Sequence, residues 1–207
     1  MKVSVAIALS TAAIALTGCT TTEAGTAVPM EDPPETSATS STEVAPDVPT
    51  VAEPLDASRY LADPCAVLTP AQLTSYGVSR TGKPDTTSAG AENSGPTCLW
   101  FGEQRSINVA VSWLTPIVNG LADIYEIQEE DNLWAHFEAI EVEEYPAVFN
   151  YFSDDPQHGN CHATVGISDR LVYTVYIQGL DSIDVRTSCD LVVEVAEAVI
   201  TMVKENP

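Results

Sequence analysis

Basic residues are scarce. The 207-residue chain has 8 Lys+Arg against 30 Asp+Glu, a formal charge of −22. Phosphate neutralisation needs clustered Lys and Arg, so nucleic acid is excluded as a partner. Docking on an anionic bilayer through a basic face is excluded for the same reason. Long apolar runs are also missing. The longest, Val3 to Leu16, is too short for the roughly 20 helical residues that cross a bilayer. Catalytic signatures are absent too. There is no Gly-x-Ser-x-Gly, no Ser-x-x-Lys, no complete Gly-x-x-x-x-Gly-Lys-Ser/Thr phosphate loop (Gly77, Gly82 and Lys83 have the spacing but Pro84 follows), no His-Glu-x-x-His, no Cys-x-x-Cys and no Asp-x-Asp-x-Asp-Gly loop. The sequence therefore points to no catalytic residue, metal or cofactor. Paired carboxylates remain available for a hydrolase of envelope lipid or peptidoglycan, but so many acids form pairs by chance.

What is present begins with an export signal. Met1-Lys2 is followed by the uncharged run Val3–Leu16, which reads as a signal peptide over residues 1–18. The run ends in Leu16-Thr17-Gly18-Cys19, which resembles the bacterial lipobox. That resemblance implies diacylglycerol on the Cys19 thiol and cleavage after Gly18. Two or more acyl chains make a stable anchor where one is marginal. The expected location is the extracytoplasmic face of the cell membrane.

Residues 19–57 then form a tether. From Thr20 to Ala57 there are six Pro, eight acids, many Ser and Thr, and no Lys, Arg or aromatic residue. Such a segment buries too little apolar surface to offset its chain entropy, so disorder is expected. Residues 58–207 hold every Trp, Tyr and Phe, enough for a single domain.

Within that domain Thr69, Pro70 and Gly77 mark an N-cap, a first helical position and a stop around a short helix. Ser79–Pro96 reads as a loop. Thr97–Glu103 and Ser106–Leu114 read as strands, the second with strict period-two alternation. A helix is expected near 119–130, and a strand pair around Pro146. His162–Ser168 and Leu171–Gln178 suggest a further hairpin. Asp184–Lys204 is the clearest helix, with an apolar stripe of Cys189, Val192, Val193, Ala196, Val199, Ile200 and Val203. This order suggests an α+β fold, an antiparallel sheet with helices packed on one face.

With Cys19 set aside, Cys65, Cys98, Cys161 and Cys189 remain, an even number suited to an exported chain. Of three connectivities, Cys65–Cys98 and Cys161–Cys189 each join neighbouring elements and are preferred. Each bridge closes a loop of roughly 30 residues, worth about 3–4 kcal/mol by chain entropy.

One patch is unusual. Asp123, Glu126, Glu129, Glu130, Asp131, Glu138, Glu141, Glu143 and Glu144 fall in a stretch without Lys or Arg. A solvated face is the ordinary explanation. The functional one is a face for cations or a basic partner, centred on Glu129, Glu130, Asp131, Glu141, Glu143 and Glu144. His158 and His162 are four apart beside Asp154 and Asp155, but Pro156 and Gly159 make that stretch a loop rather than a metal-binding helix. His136, between Trp134 and Phe137, suits packing at a surface edge.

The lipobox, the tether, Asp63-Pro64-Cys65-Ala66-Val67-Leu68-Thr69-Pro70, Cys98-Leu99-Trp100, Cys161 and Cys189 together resemble an actinobacterial lipoprotein family, domain of unknown function 3558. The resemblance implies a high-GC Gram-positive source, a cell-surface location and a small α+β domain. It implies no reaction. The expected role is a non-enzymatic module that binds another envelope protein, a wall polymer or a small ligand, with the membrane as a partner through Cys19.

Overall fold

A computed structural model describes residues 48–102, 107–152, 159–179 and 185–206. Cys19, the leader, most of the tether, Asp154, Asp155, His158 and the start of the last helix at Asp184 lie outside them.

The chain folds as one seven-stranded antiparallel sheet, in the order β1-β2-β3-β7-β6-β5-β4. The strands are β1 Lys83–Asp85, β2 Thr97–Phe101, β3 Ile107–Trp113, β4 His136–Val142, β5 Tyr145–Tyr151, β6 Cys161–Ser168 and β7 Leu171–Gly179. The helices are α1 Ser58–Ala62, α2 Pro70–Ser75, α3 Ala89–Ser94, α4 Leu121–Asp131 and α5 Val185–Glu205, with a 3-10 turn at Pro64–Val67. No described helix is long and apolar enough to cross a membrane. The α+β class and the antiparallel sheet are as the sequence implies.

Period-two alternation explains the main core. Ile107, Val109, Val111 and Trp113 of β3 are buried and the residues between them are half-exposed. They meet Ala163, Val165 and Ile167 of β6, and Tyr173, Val175 and Ile177 of β7. Over this face lie α1, the 3-10 turn, α2 and α5. Two tyrosines fasten α5: Tyr173 donates to the Ala196 carbonyl at 2.8 Å and Tyr60 to the Met202 carbonyl at 2.9 Å. Trp113 lies between them, its ring 5.9 Å from Tyr60 and 5.4 Å from Tyr173. The buried stripe of α5 is Val192, Val195, Ala196, Val199, Ile200 and Val203; Val195 takes the place expected for Val193, which is half-exposed.

Helix α4 stands apart from that layer. Its Leu121 and Ile124 pack with Trp134, Val148 and Val172, whose strand neighbours Ala147, Phe149 and Tyr173 belong to the main core. It therefore sits on the opposite face of the sheet.

Both disulfides form as preferred: Cys65–Cys98 and Cys161–Cys189, each with a Cα–Cα distance of 5.1 Å. The N-cap expected at Thr69 also forms, as part of a capping box at α2. Thr69 accepts from the Gln72 N–H, and the Gln72 side chain accepts from the Thr69 N–H at 2.7 Å.

Three local expectations change. The 79–96 loop contains β1 and the Ser88-capped helix α3. The turn joining β4 to β5 is Glu143-Glu144, while Pro146 lies inside β5. Pro146 is tolerated because the ladder from β5 to β6 begins only at Ala147, so its missing N–H interrupts nothing. The ordered domain also begins before Ser58. Val48 and Val51 join the two hydrophobic clusters, the Leu55 N–H donates to Ile167 at 2.8 Å, and Tyr145 donates to the Glu53 carbonyl at 3.0 Å. Val48–Ala57 is thus a strap across the sheet, not free tether.

Candidate binding face of the sheet

The acidic residues do not converge on one point. Glu129, Glu130 and Asp131 are exposed at the end of α4, four residues before β4 begins. Glu143 and Glu144 are exposed in the turn at the far end of β4, with Glu141 just before it. The seven-residue strand β4 runs between Asp131 and the Glu143-Glu144 turn, a distance of roughly 20 Å. No group of three or more His, Cys, Asp or Glu able to hold a metal occurs among the described residues. The carboxylates with displaced pKa values are Asp56, Asp85 and Asp123. For Asp123, desolvation pushes upwards but is outweighed by hydrogen bonds from Asn119 and the Val118 N–H. Asp56 is lowered by its bonds from Ser58, and Asp85 by those from Ser88. A general acid needs the opposite direction.

His136 behaves as an edge residue. It stacks on Tyr151 at 4.5 Å and its Nε2 lies 3.3 Å from Glu138. His162 is different. It sits on β6, on the face that α4 shares, with Nδ1 2.6 Å from the Asn150 carbonyl oxygen. A carbonyl only accepts, so the hydrogen is assigned to Nδ1, and Nε2 is left as an acceptor in the neutral ring. Burial holds the His162 pKa below the usual histidine value, against the Asn150 bond, which raises it. Asn150 is itself fixed, accepting from Thr164 at 3.0 Å.

The register places His162 in a row. Leu99, Ala110, Tyr176 and His162 are successive cross-strand partners over β2, β3, β7 and β6. The next row is Phe101, Asn108 and Gln178, in which Asn108 donates to Gln178 at 2.8 Å. On the other side Thr97, Ser112 and Thr174 are aligned, and Thr97 donates to Ser112 at 2.8 Å. Leu99, Asn108, Ala110, Tyr176 and Gln178 are half-exposed and Phe101 is exposed. Helix α4 covers the part of this face around Val148 and Val172, and α3 starts at the β1 edge, where its cap Ser88 donates to Asp85, the register partner of Thr97.

Charge separates this surface from the rest of the molecule. β2, β3, β6 and β7 contain no Asp, Glu, Lys or Arg. The flanking wall is aromatic: Phe137, the register partner of Asn150, lies 5.1 Å from Tyr125 and 5.9 Å from Trp134. Lys83 and Asp85 of β1, the register partners of Leu99 and Thr97, close the rows at the sheet edge with charge, Lys83 Nζ lying 4.5 Å over the Phe101 ring. Chemically, the four strands inside that edge offer an uncharged floor with ring faces, amides, hydroxyls and one imidazole acceptor.

The match to known families is decided by the model for a protein of unknown function, DUF3558, which covers residues 14–202. The chain belongs to the DUF3558 family. No curated protein and no solved structure matches it. The uncovered face of this DUF3558 chain was not among the residues singled out from sequence. Its signal was there, in strands with polar but never charged alternate positions.

Proposed function

We propose that this DUF3558 chain is a membrane-anchored lipoprotein of an actinobacterial cell envelope, and that its domain is a non-enzymatic binding module. The observation that carries the binding half is the uncovered, charge-free face of β2, β3, β7 and β6 on a chain of net charge −22. Leaving such a surface bare costs solubility, and a surface of this kind is retained where it meets something. The address rests on the leader and on Leu16-Thr17-Gly18-Cys19. The pairing of Cys65 with Cys98 and of Cys161 with Cys189 suits an oxidising compartment.

The module works by presentation. Acyl chains on Cys19 hold the chain at the membrane, the tether gives it reach, and the strap from Val48 to Ala57 transmits that tether into the sheet. Fractionation of cells labelled with an alkynyl fatty acid tests the address. Wild type is expected labelled and membrane-bound, and Cys19→Ser unlabelled and released to the medium. An unlabelled wild type contradicts the anchor. Formaldehyde crosslinking of cells tests the module: Ala110→Arg, which sets a charge in the floor, is expected to lose adducts that wild type forms at equal abundance. Identical adducts contradict the proposed contact face.

A further inference from the structure

Resting on the binding-module reading, we infer that the uncovered sheet face takes a neutral polyhydroxylated ligand, a saccharide chain. Three independent features of the floor point to that chemistry.

The first is electrostatic. An anion would approach a chain of net charge −22 against its field, and a cation would be drawn to the acids of α4 and the β4–β5 turn rather than to the charge-free strands. A neutral ligand is what remains.

The second is the supply of hydrogen bonds. Asn108 spends its side chain on its neighbours, donating to Gln178 and accepting from the Gly102 N–H at 3.2 Å. That leaves the Gln178 amide nitrogen as a donor fixed in direction. The Thr97 hydroxyl lies within hydrogen-bond reach of both the Gly95 carbonyl and the Ser112 hydroxyl, so Thr97 and Ser112 form a linked hydroxyl pair on the floor. His162 Nε2 accepts and the Tyr176 hydroxyl does both, neither having another partner among the described residues. Donors and acceptors so interleaved match hydroxyl groups, each of which is both. They do not match an acyl chain, which would leave the amide and imidazole unpaired.

The third is shape. The row from Leu99 through Ala110 and Tyr176 to His162 crosses three inter-strand spacings, about 14 Å. Ala110 is its low point, between the ring of Tyr176 and the side chain of Leu99. A pyranose lays its C–H face on an aromatic ring and turns its hydroxyls to the rim. Tyr176 supplies such a ring, while the face of Phe101 is occupied by Lys83 Nζ 4.5 Å from its centroid; the floor is long enough for more than one sugar.

The test is calorimetric titration of the mature full chain carrying Cys19→Ser with neutral gluco-, manno-, galacto- and arabino-oligosaccharides, and with oligouronates of equal length. Binding to at least one neutral series and not to the uronates is expected. Tyr176→Ala and Gln178→Glu should each weaken it at least tenfold with an unchanged melting temperature, while Glu129→Gln leaves it unaltered. Gln178→Glu keeps the size of the side chain, so the test stands even where Tyr176→Ala fails to fold. No binding at millimolar sugar, equal binding of uronates, or indifference to both substitutions overturns the inference. Formaldehyde adducts that Ala110→Arg abolishes, in a protein that binds no saccharide, would retire the sugar and keep the module. Loss of both signals retires both.

Discussion

His162 Nδ1 lies 2.6 Å from the carbonyl oxygen of Asn150, and this bond sets the tautomer of the ring, with the hydrogen on Nδ1 and Nε2 left as an acceptor. The bond favours the charged ring, but burial opposes it more strongly, so the folded pKa falls below the unfolded value near 6.5.

The sign of the resulting pH dependence follows. Above the unfolded pKa both states carry a neutral His162 and it costs nothing. As pH falls from about 6.5 towards the lower folded value, the unfolded chain binds a proton that the folded chain refuses, and stability drops. Urea midpoints between pH 7.5 and 5 should therefore fall more steeply for wild type than for His162→Gln. Parallel curves would show that His162 is not held neutral.

Gly82 abuts the first disulfide. A β-carbon there would lie 2.8 Å from Cys65 Sγ and 2.6 Å from the Trp100 indole nitrogen, and closer still to Cys98 Sγ. None of those groups is free to move, since Trp100 and Cys98 are fully buried. Gly82→Ala is expected to cost about 1–3 kcal/mol, the usual range for overpacking. Equal urea midpoints for the two chains would contradict this packing.

Glu143 and Glu144 form a two-residue hairpin loop with φ of 50° and 68°. That is the left-handed region at both central positions, where Asn-Gly is the preferred pair. Glu143→Asn with Glu144→Gly should stabilise the chain by about 1 kcal/mol, seen as a melting temperature raised by roughly 2–4 °C. A lowered melting temperature would mean the two glutamates make contacts that outweigh their backbone cost.

The strap makes a prediction about length. A chain beginning at Ser58 loses the Leu55–Ile167 and Tyr145–Glu53 hydrogen bonds and the apolar cover of Val48, Val51 and Leu55. It should be about 2–4 kcal/mol less stable to urea than one beginning at Val48. Equal stability would return residues 48–57 to the tether.

These features differ in how far the sequence reveals them. The N-cap at Thr69, the alternation of β3 and the four paired cysteines are local or countable, and were legible. β1 was not, because three residues in a polar, Gly- and Pro-marked stretch become a strand only by pairing with β2. The strap was hidden by composition: its Pro and acids resemble the tether, while its burial depends on Ile167 and Tyr145, distant in sequence. Pro146 drew attention away from Glu143-Glu144, since its tolerance rests on where the β5–β6 ladder starts. The uncovered face depends on where α4 comes to rest, which no local pattern encodes. The acidic run looked continuous because β4, which separates its two ends, is extended only once folded.

The central claim is that the domain makes its contact through the charge-free half of the sheet. Photo-crosslinking in living cells tests this most directly, with a benzophenone amino acid placed at Ala110 in one strain and at Glu194, on the exposed side of α5, in another. A discrete adduct from position 110 that is absent from position 194 is the expected result. The same adducts from both positions, or none from 110 in a protein that is folded and membrane-bound, would contradict it.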